Sequence, residues 1–249
     1  HFESLKIDAR RGDILFSDGS VLASTKPTFL LYGLPKLITD FEKAKLSQAL
    51  SEILVQSDQE KDTLRVDLLQ KLSKDLYWVA LYKNIDQETR KKIEELKSTG
   101  LGFEEGNSRF YPESSSSAHL LGFVASDAKG EDTGYFGLEG FYNGELKGIL
   151  GSVRQEKDAF GLPILIGKFL SKGGTHGKSL VLNIDQAIQF AVEQNLKKGL
   201  EKYGARAASA VVMDPKTGAV LALASFPNYD PANFDKFPKE VYKNPVVAD

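Results

Sequence analysis

The sequence has 249 residues, 41% of them hydrophobic and 27% charged, with 32 basic against 34 acidic side chains for a net charge of −2. That balance excludes an electrostatic nucleic-acid binder, which needs a basic excess to neutralise phosphates. The lack of cysteine excludes disulfides, thiolate metal sites and cysteine nucleophiles, and the length predicts two domains or one large one.

No run of apolar residues is long enough for a membrane helix. The chain opens on His1 and contains a single methionine, Met213. It therefore reads as an excised or processed piece of a longer protein whose leader or anchor is not included.

In chain order, Ile14-Leu15-Phe16, then Asp18-Gly19, then Val21-Leu22-Ala23 predicts a hairpin, because Asp-Gly between apolar pairs suits a tight turn. Thr39-x-x-Glu42 predicts a capping box, with Phe41, Ala44, Ala49, Leu50, Ile53 and Leu54 as the apolar stripe of the helix it opens. A second helix is expected from Asp58 to Leu76, with Leu64, Leu68, Leu72 and Leu76 on one face. Its Asp58 and Glu60 suit the positive end of the helix dipole. Tyr77 to Tyr82 reads as a strand. Asp86 caps a third helix expected to run through Lys97, with Gly100 ending it.

The stretch from Gly102 to Gly151, rich in glycine, serine and aromatic residues, predicts loops and extended chain around a few anchors. Leu180 to Ile184 reads as a strand, and Asp185 caps a helix carrying Ile188, Val192, Leu196, Leu200 and Tyr203 on one side. Ala207 to Met213 and Ala219 to Ser225 read as strands joined by the turn Asp214-Pro215-Lys216-Thr217-Gly218. Together these predict an α+β fold with a second domain beginning near Gly174, a helix laid on an antiparallel sheet.

Several chemical motifs fail on context. Gly173-Gly174-Thr175-His176-Gly177-Lys178-Ser179 imitates a phosphate loop, but Lys172 stands where its first glycine belongs and a strand follows instead of a helix. It reads as a flexible linker. Ser126-Asp127-Ala128-Lys129 has the spacing of an acylated serine and its activating lysine, yet no helix there brings the two together. Lys216-Thr217-Gly218 completes a tight turn, where Gly218 supplies a positive φ. His119, without a second ligand at a metal spacing, reads as a packed or hydrogen-bonded histidine. Arg90-Lys91-Lys92 and Lys197-Lys198 read as solvated faces. No catalytic, cofactor-binding or metal-binding residue is assigned.

Taken together, several stretches resemble the class B penicillin-binding proteins. Arg10-Arg11-Gly12-Asp13-Ile14, Asp18-Gly19 and Leu22-Ala23 are similar to the family's opening signature, which Phe16-Ser17 departs from. Arg109-Phe110-Tyr111-Pro112, His119-Leu120-Leu121-Gly122-Phe123 and Gly134-x-x-Gly137-Leu138-Glu139 follow, with Tyr142, Leu146, Gly148 and Gly151 behind them. The strongest matches are Leu182-Asn183-Ile184-Asp185-x-x-Ile188-Gln189 and Met213-Asp214-Pro215-x-Thr217-Gly218-Ala219-Val220-Leu221-Ala222, then Ser225 to Pro231.

The resemblance implies a non-catalytic pedestal over 1–173 and the start of a transpeptidase domain over 174–249, ending before the Ser-x-x-Lys nucleophile. It implies a peptidoglycan D,D-transpeptidase without a cofactor that acts on stem peptides and is acylated by β-lactams. The helical insert between Thr39 and Leu76 favours a division-type member. The implied place is the extracytoplasmic face of the bacterial membrane, on an N-terminal anchor. The partners the resemblance implies are a membrane glycosyltransferase of the SEDS type and divisome proteins. Alternatives are a purely non-catalytic interaction module and a β-lactam-sensing relative. Independently of the resemblance, Arg11 and Arg109 are permanently charged planar donors able to hold a partly buried Glu139.

Overall fold

The computed structural model describes residues 2–7, 9–113, 115–128, 130–149, 151–156 and 170–247. The chain divides into two compact units, one of residues 1–25 with 109–249 and the other of residues 26–108. Helices and strands alternate in both, so the α+β expectation holds.

The chain begins with β1 (Phe2–Ile7), β2 (Ile14–Leu15) and β3 (Val21–Gly33). The Asp-Gly turn forms as expected: Gly19 has φ +85, and β2 pairs antiparallel with the start of β3 through Ile14↔Ala23 and Leu15↔Val21.

Next come α1 (Asp40–Leu54), α2 (Asp58–Leu72), β4 (Val79–Ile85), α3 (Gln87–Glu94) and β5 (Leu101–Phe110). The Thr39–Glu42 capping box is present in both directions, and the Asp86 side chain accepts from the Thr89 amide at 2.7 Å. Both caps satisfy amide groups that a helix start leaves without partners. Within the unit of residues 26–108, β4 and β5 pair with β3. Leu31, Leu50, Leu68, Leu72 and Ile93 form the centre of its core.

Four expectations in this stretch need correction. Phe41 is 82% exposed, and α1 packs through Leu46, Ser47, Leu50 and Ser51. The two serines are tolerated because each hydroxyl returns a hydrogen bond to its own helix, Ser47 to the Lys43 carbonyl and Ser51 to the Gln48 carbonyl. The helix α2 stops at Leu72, so Leu76 and Tyr77 lie outside it and outside the strand, and both are exposed. The third helix ends at Glu94, before Lys97, which has φ +51. The stretch read as loops and extended chain begins with a regular element, the ten-residue strand β5.

The rest of the chain forms α4 (Ala118–Leu121), β6 (Phe123–Ser126), β7 (Asp132–Tyr135), α5 (Gly137–Phe141), α6 (Asn143–Leu146), β8 (Gly151–Glu156), β9 (Leu170–Lys172) and β10 (Leu180–Val181). Then follow α7 (Gln186–Tyr203), β11 (Ala208–Met213) and β12 (Val220–Phe226). The strand read over Leu180 to Ile184 is only two residues long and pairs parallel with β2. The Asp185 side chain caps α7 by accepting from the Ile188 amide at 2.9 Å, and Gly204 at φ +59 ends it. The β11–β12 hairpin is antiparallel, with α7 packed on β12. Its turn forms as read, with Gly218 at φ +74. Two cores fill this unit: one around Ile14, Phe16, Leu121 and Leu146, and an aromatic one around Phe123, Tyr229 and Tyr242.

Candidate functional site

Arg11, Arg109 and Glu139 form a buried charge cluster in the unit of residues 1–25 and 109–249. Arg11 precedes β2, Arg109 is the penultimate residue of β5 and Glu139 lies in α5. The Glu139 side chain is fully buried, and those of Arg11 and Arg109 are 8% and 4% exposed. Each carboxylate oxygen takes one guanidinium: Arg11 Nε donates to Oε2 and Arg109 Nε to Oε1, both at 2.6 Å.

Most of the remaining donors are also used, while Arg109 Nη2 is buried without a hydrogen-bond partner among the described residues. Arg11 Nη1 reaches Asn143 Oδ1 at 2.8 Å and Nη2 the Glu139 carbonyl at 2.9 Å. Arg109 Nη1 reaches the Gly12 carbonyl at 2.8 Å. Two cations against one carboxylate leave an excess positive charge, and these carbonyl dipoles offset it. The backbone has to come close for this to work. A Cβ on Gly134 would lie 1.9 Å from the Glu139 carbonyl oxygen and 2.6 Å from Arg11 Nη2, so only glycine fits there.

This three-residue cluster is the one expected from the sequence. Its job is mechanical: it joins the chain before β2, the end of β5 and the α5 helix. Tyr111 sits beside it, and burial together with the negative Glu139 pushes its phenol well above the ordinary tyrosine range.

Sequence reasoning assigned no role to Gln189, which is fully buried in α7. Its amide donates to the Leu223 carbonyl at 2.9 Å and accepts from the Leu223 amide at 2.8 Å. The side chain thus pairs with β12 as a neighbouring strand would. A polar residue at helical spacing among Ile188 and Val192 was the available signal.

The stretch Gly173–Ser179 is not a free linker, which corrects the flexible reading. The Gly177 amide donates to the Arg10 carbonyl and the Lys178 amide to the Glu145 carbonyl, both at 2.8 Å. Ser179 Oγ accepts from the Asp13 amide at 3.0 Å, and His176 Nδ1 from the Arg10 amide at 3.0 Å. Gly12 is packed against Lys178 so closely that a Cβ there would collide with the Lys178 carbonyl. Tertiary partners, invisible in the local sequence, hold the segment.

The decoy motifs gain no support from their surroundings. Ser126 is exposed and lies 3.5 Å from Asp132 Oδ1, while Lys129 falls outside the described residues. Thr217 and the Lys216 amide are tied to Asp214, which lowers its carboxyl pKa. His119 is buried, with Nε2 at 2.8 Å from the Val241 carbonyl and its ring edge-on to Tyr229. Burial lowers its pKa. Among the described residues, no group of three or more His, Asp or Glu side chains could hold a metal ion, and no helix is long and apolar enough to cross a membrane.

Two stretches of the chain match known protein families. Residues 6–182 match the family model for the penicillin-binding protein dimerisation domain, and residues 208–249 that for the penicillin-binding protein transpeptidase domain. The chain is 32% identical over 244 residues to "Probable peptidoglycan D,D-transpeptidase PenA" of Neisseria meningitidis serogroup A, covering 98% of this chain and 40% of that protein. It is 31% identical over 172 residues to the peptidoglycan D,D-transpeptidase FtsI of Escherichia coli, covering 69% of this chain and 28% of that one. It thus spans about two fifths or less of the curated relatives it matches. A solved complex between penicillin-binding protein PBP2 and MreC from Helicobacter pylori contains a chain with the same fold, at a TM-score of 0.71 and 19% identity over all of this chain and 49% of that one.

Proposed function

Because the chain belongs to the family of penicillin-binding proteins that carry the dimerisation domain, we propose that it supplies the pedestal and the opening of the transpeptidase domain of a peptidoglycan D,D-transpeptidase. On this reading residues 1–173 form the pedestal and 174–249 the first part of the transpeptidase domain. The observation that carries it is the order of the two family matches along one chain, 6–182 and then 208–249, with the buried Glu139 cluster inside the first. The described residues act as scaffold.

In the whole protein, an activated serine that none of the described residues supplies attacks the stem-peptide D-Ala-D-Ala carbonyl. D-Ala then leaves, and the amine of a neighbouring peptide takes the acyl group. Donors of an oxyanion hole stabilise the charge that develops, no cofactor takes part, and β-lactams acylate the same serine. The helical pair α1–α2 and the likeness to FtsI support a division-type role at the extracytoplasmic membrane face. The pedestal is also the part proposed to dock partner proteins, a reading supported by the fold it shares with a chain solved together with MreC.

Labelling with a fluorescent penicillin tests this. The 249-residue chain should stay unlabelled, and the longest natural protein containing it should label at a serine. A covalent adduct on the 249-residue chain overturns the scaffold reading. Absence of label on the longer protein overturns the transpeptidase reading in favour of a non-catalytic interaction module.

A further inference from the structure

Where the loop before α4 meets α7 and β12, the structure leaves two hydroxyls without a use. Ser117 and Ser225 are 3% and 4% exposed, and neither Oγ has a hydrogen-bond partner among the described residues. Buried hydroxyls are rarely left so, because each loses its water partners on folding. Both line a cavity of about 10 Å³ together with Glu193 and Asn228. A single water needs roughly that volume and two to four polar neighbours.

The groups around the cavity are fixed from three elements. Glu193 Oε1 accepts from the Ser117 amide at 2.8 Å, from Ser116 Oγ at 3.2 Å and from Gln189 Nε2 at 2.6 Å. Asn228 Nδ2 donates to the Ser115 carbonyl at 3.3 Å. The nearby open cleft of about 480 Å³ is lined by Ser115, Glu193, Phe226 and Asn228 as well.

We propose that this cavity is a binding site for one ordered water molecule shared by Ser117, Ser225 and Glu193. Water suits the site better than a cation. Three donors already disperse the charge at Glu193 Oε1, and the two hydroxyls each need an acceptor as well as a donor. Water offers both roles, and a cation offers no acceptor. The bound water fastens residues matched to the dimerisation domain, at Ser117, to residues matched to the transpeptidase domain, at Ser225. It is a pin at the seam between the two family segments, and it stands on the fold alone, whatever reaction the whole protein performs.

A high-resolution crystal structure of the 249-residue chain, grown in parallel with thallium(I) salts, tests this. The expected result is one peak within hydrogen-bond reach of both Oγ atoms, without thallium anomalous signal. A dry cavity with both hydroxyls turned onto backbone overturns the proposal, and so does an anomalous peak at the site. In solution, water-oxygen relaxation dispersion should lose one long-lived water in Ser225→Val relative to the parent, with the amide spectrum showing that the variant is folded. An unchanged number of long-lived waters in the folded variant overturns the proposal. If Ser225→Val fails to fold, the cycle of Ser117→Ala and Ser225→Ala decides. A shared water predicts that the double variant melts only slightly below the worse single one, and fully additive losses count against it.

Discussion

Gln189 and Leu223 exchange a reciprocal pair of hydrogen bonds, side-chain amide against main chain, 34 residues apart in sequence. The helix α7 thereby takes the place of a strand along β12, and a single side chain fixes the helix on the hairpin. Replacing it with leucine would keep the volume but strand a buried N–H and a buried C=O. Gln189→Leu should cost about 2–6 kcal/mol, at roughly 1–3 kcal/mol for each orphaned group. Denaturant unfolding, with hydrogen exchange at the Leu223 amide, measures it. A variant as stable and as protected as the parent would show that the pair contributes little.

Glu139 holds two arginines by one oxygen each. In Glu139→Gln the carboxylate charge goes while both guanidinium groups stay buried, so the loss should be about 3–5 kcal/mol, the range for breaking a buried ion pair from one side. Unchanged melting would end the idea that this cluster holds the unit together.

His119 makes stability depend on pH. Burial holds its pKa below the ordinary value of 6.5, so below that value the unfolded chain takes up a proton that the folded one resists. Stability contributed by neutral His119 is therefore complete above about pH 6.5 and is lost as pH falls towards the lowered folded-state pKa. Unfolding midpoints between pH 5 and 8 should drop more steeply for the parent than for His119→Gln. Parallel curves would assign the acid sensitivity to other groups.

Two glycines should respond in opposite directions. In Gly134→Ala the new methyl would meet the Glu139 carbonyl at 1.9 Å, which forces backbone to move and should cost about 2 kcal/mol or more, as overpacking does. Gly199 lies inside α7 with nothing within 4 Å of an added Cβ, so Gly199→Ala should stabilise by about 0.5–1 kcal/mol. Thermal melts of the two variants side by side decide; a destabilised Gly199→Ala would contradict the open space seen there.

What the sequence determined by itself was whatever a few neighbouring residues decide among themselves. Thr39, Asp86 and Asp185 cap helices because a side chain reaches an amide two or three residues on. Asp18-Gly19 and Asp214 to Gly218 turn because their backbones accept the required φ. The Arg11–Glu139–Arg109 cluster was also legible, since a carboxylate between apolar and glycine neighbours needs cations once buried.

Tertiary structure decided the rest. Leu46 with Ser47 and Ser51 faces inward in place of Phe41 because which side of α1 is covered depends on α2 and α3, which local pattern does not encode. Gly173–Ser179 is held by Arg10, Gly12 and Asp13, more than a hundred positions away, and by Glu145. Gln189 is buried because β12 offers it a free peptide group. Short-range geometry is written in adjacent residues, whereas burial and hydrogen-bond partnership across the fold exist only once distant segments have been brought into contact.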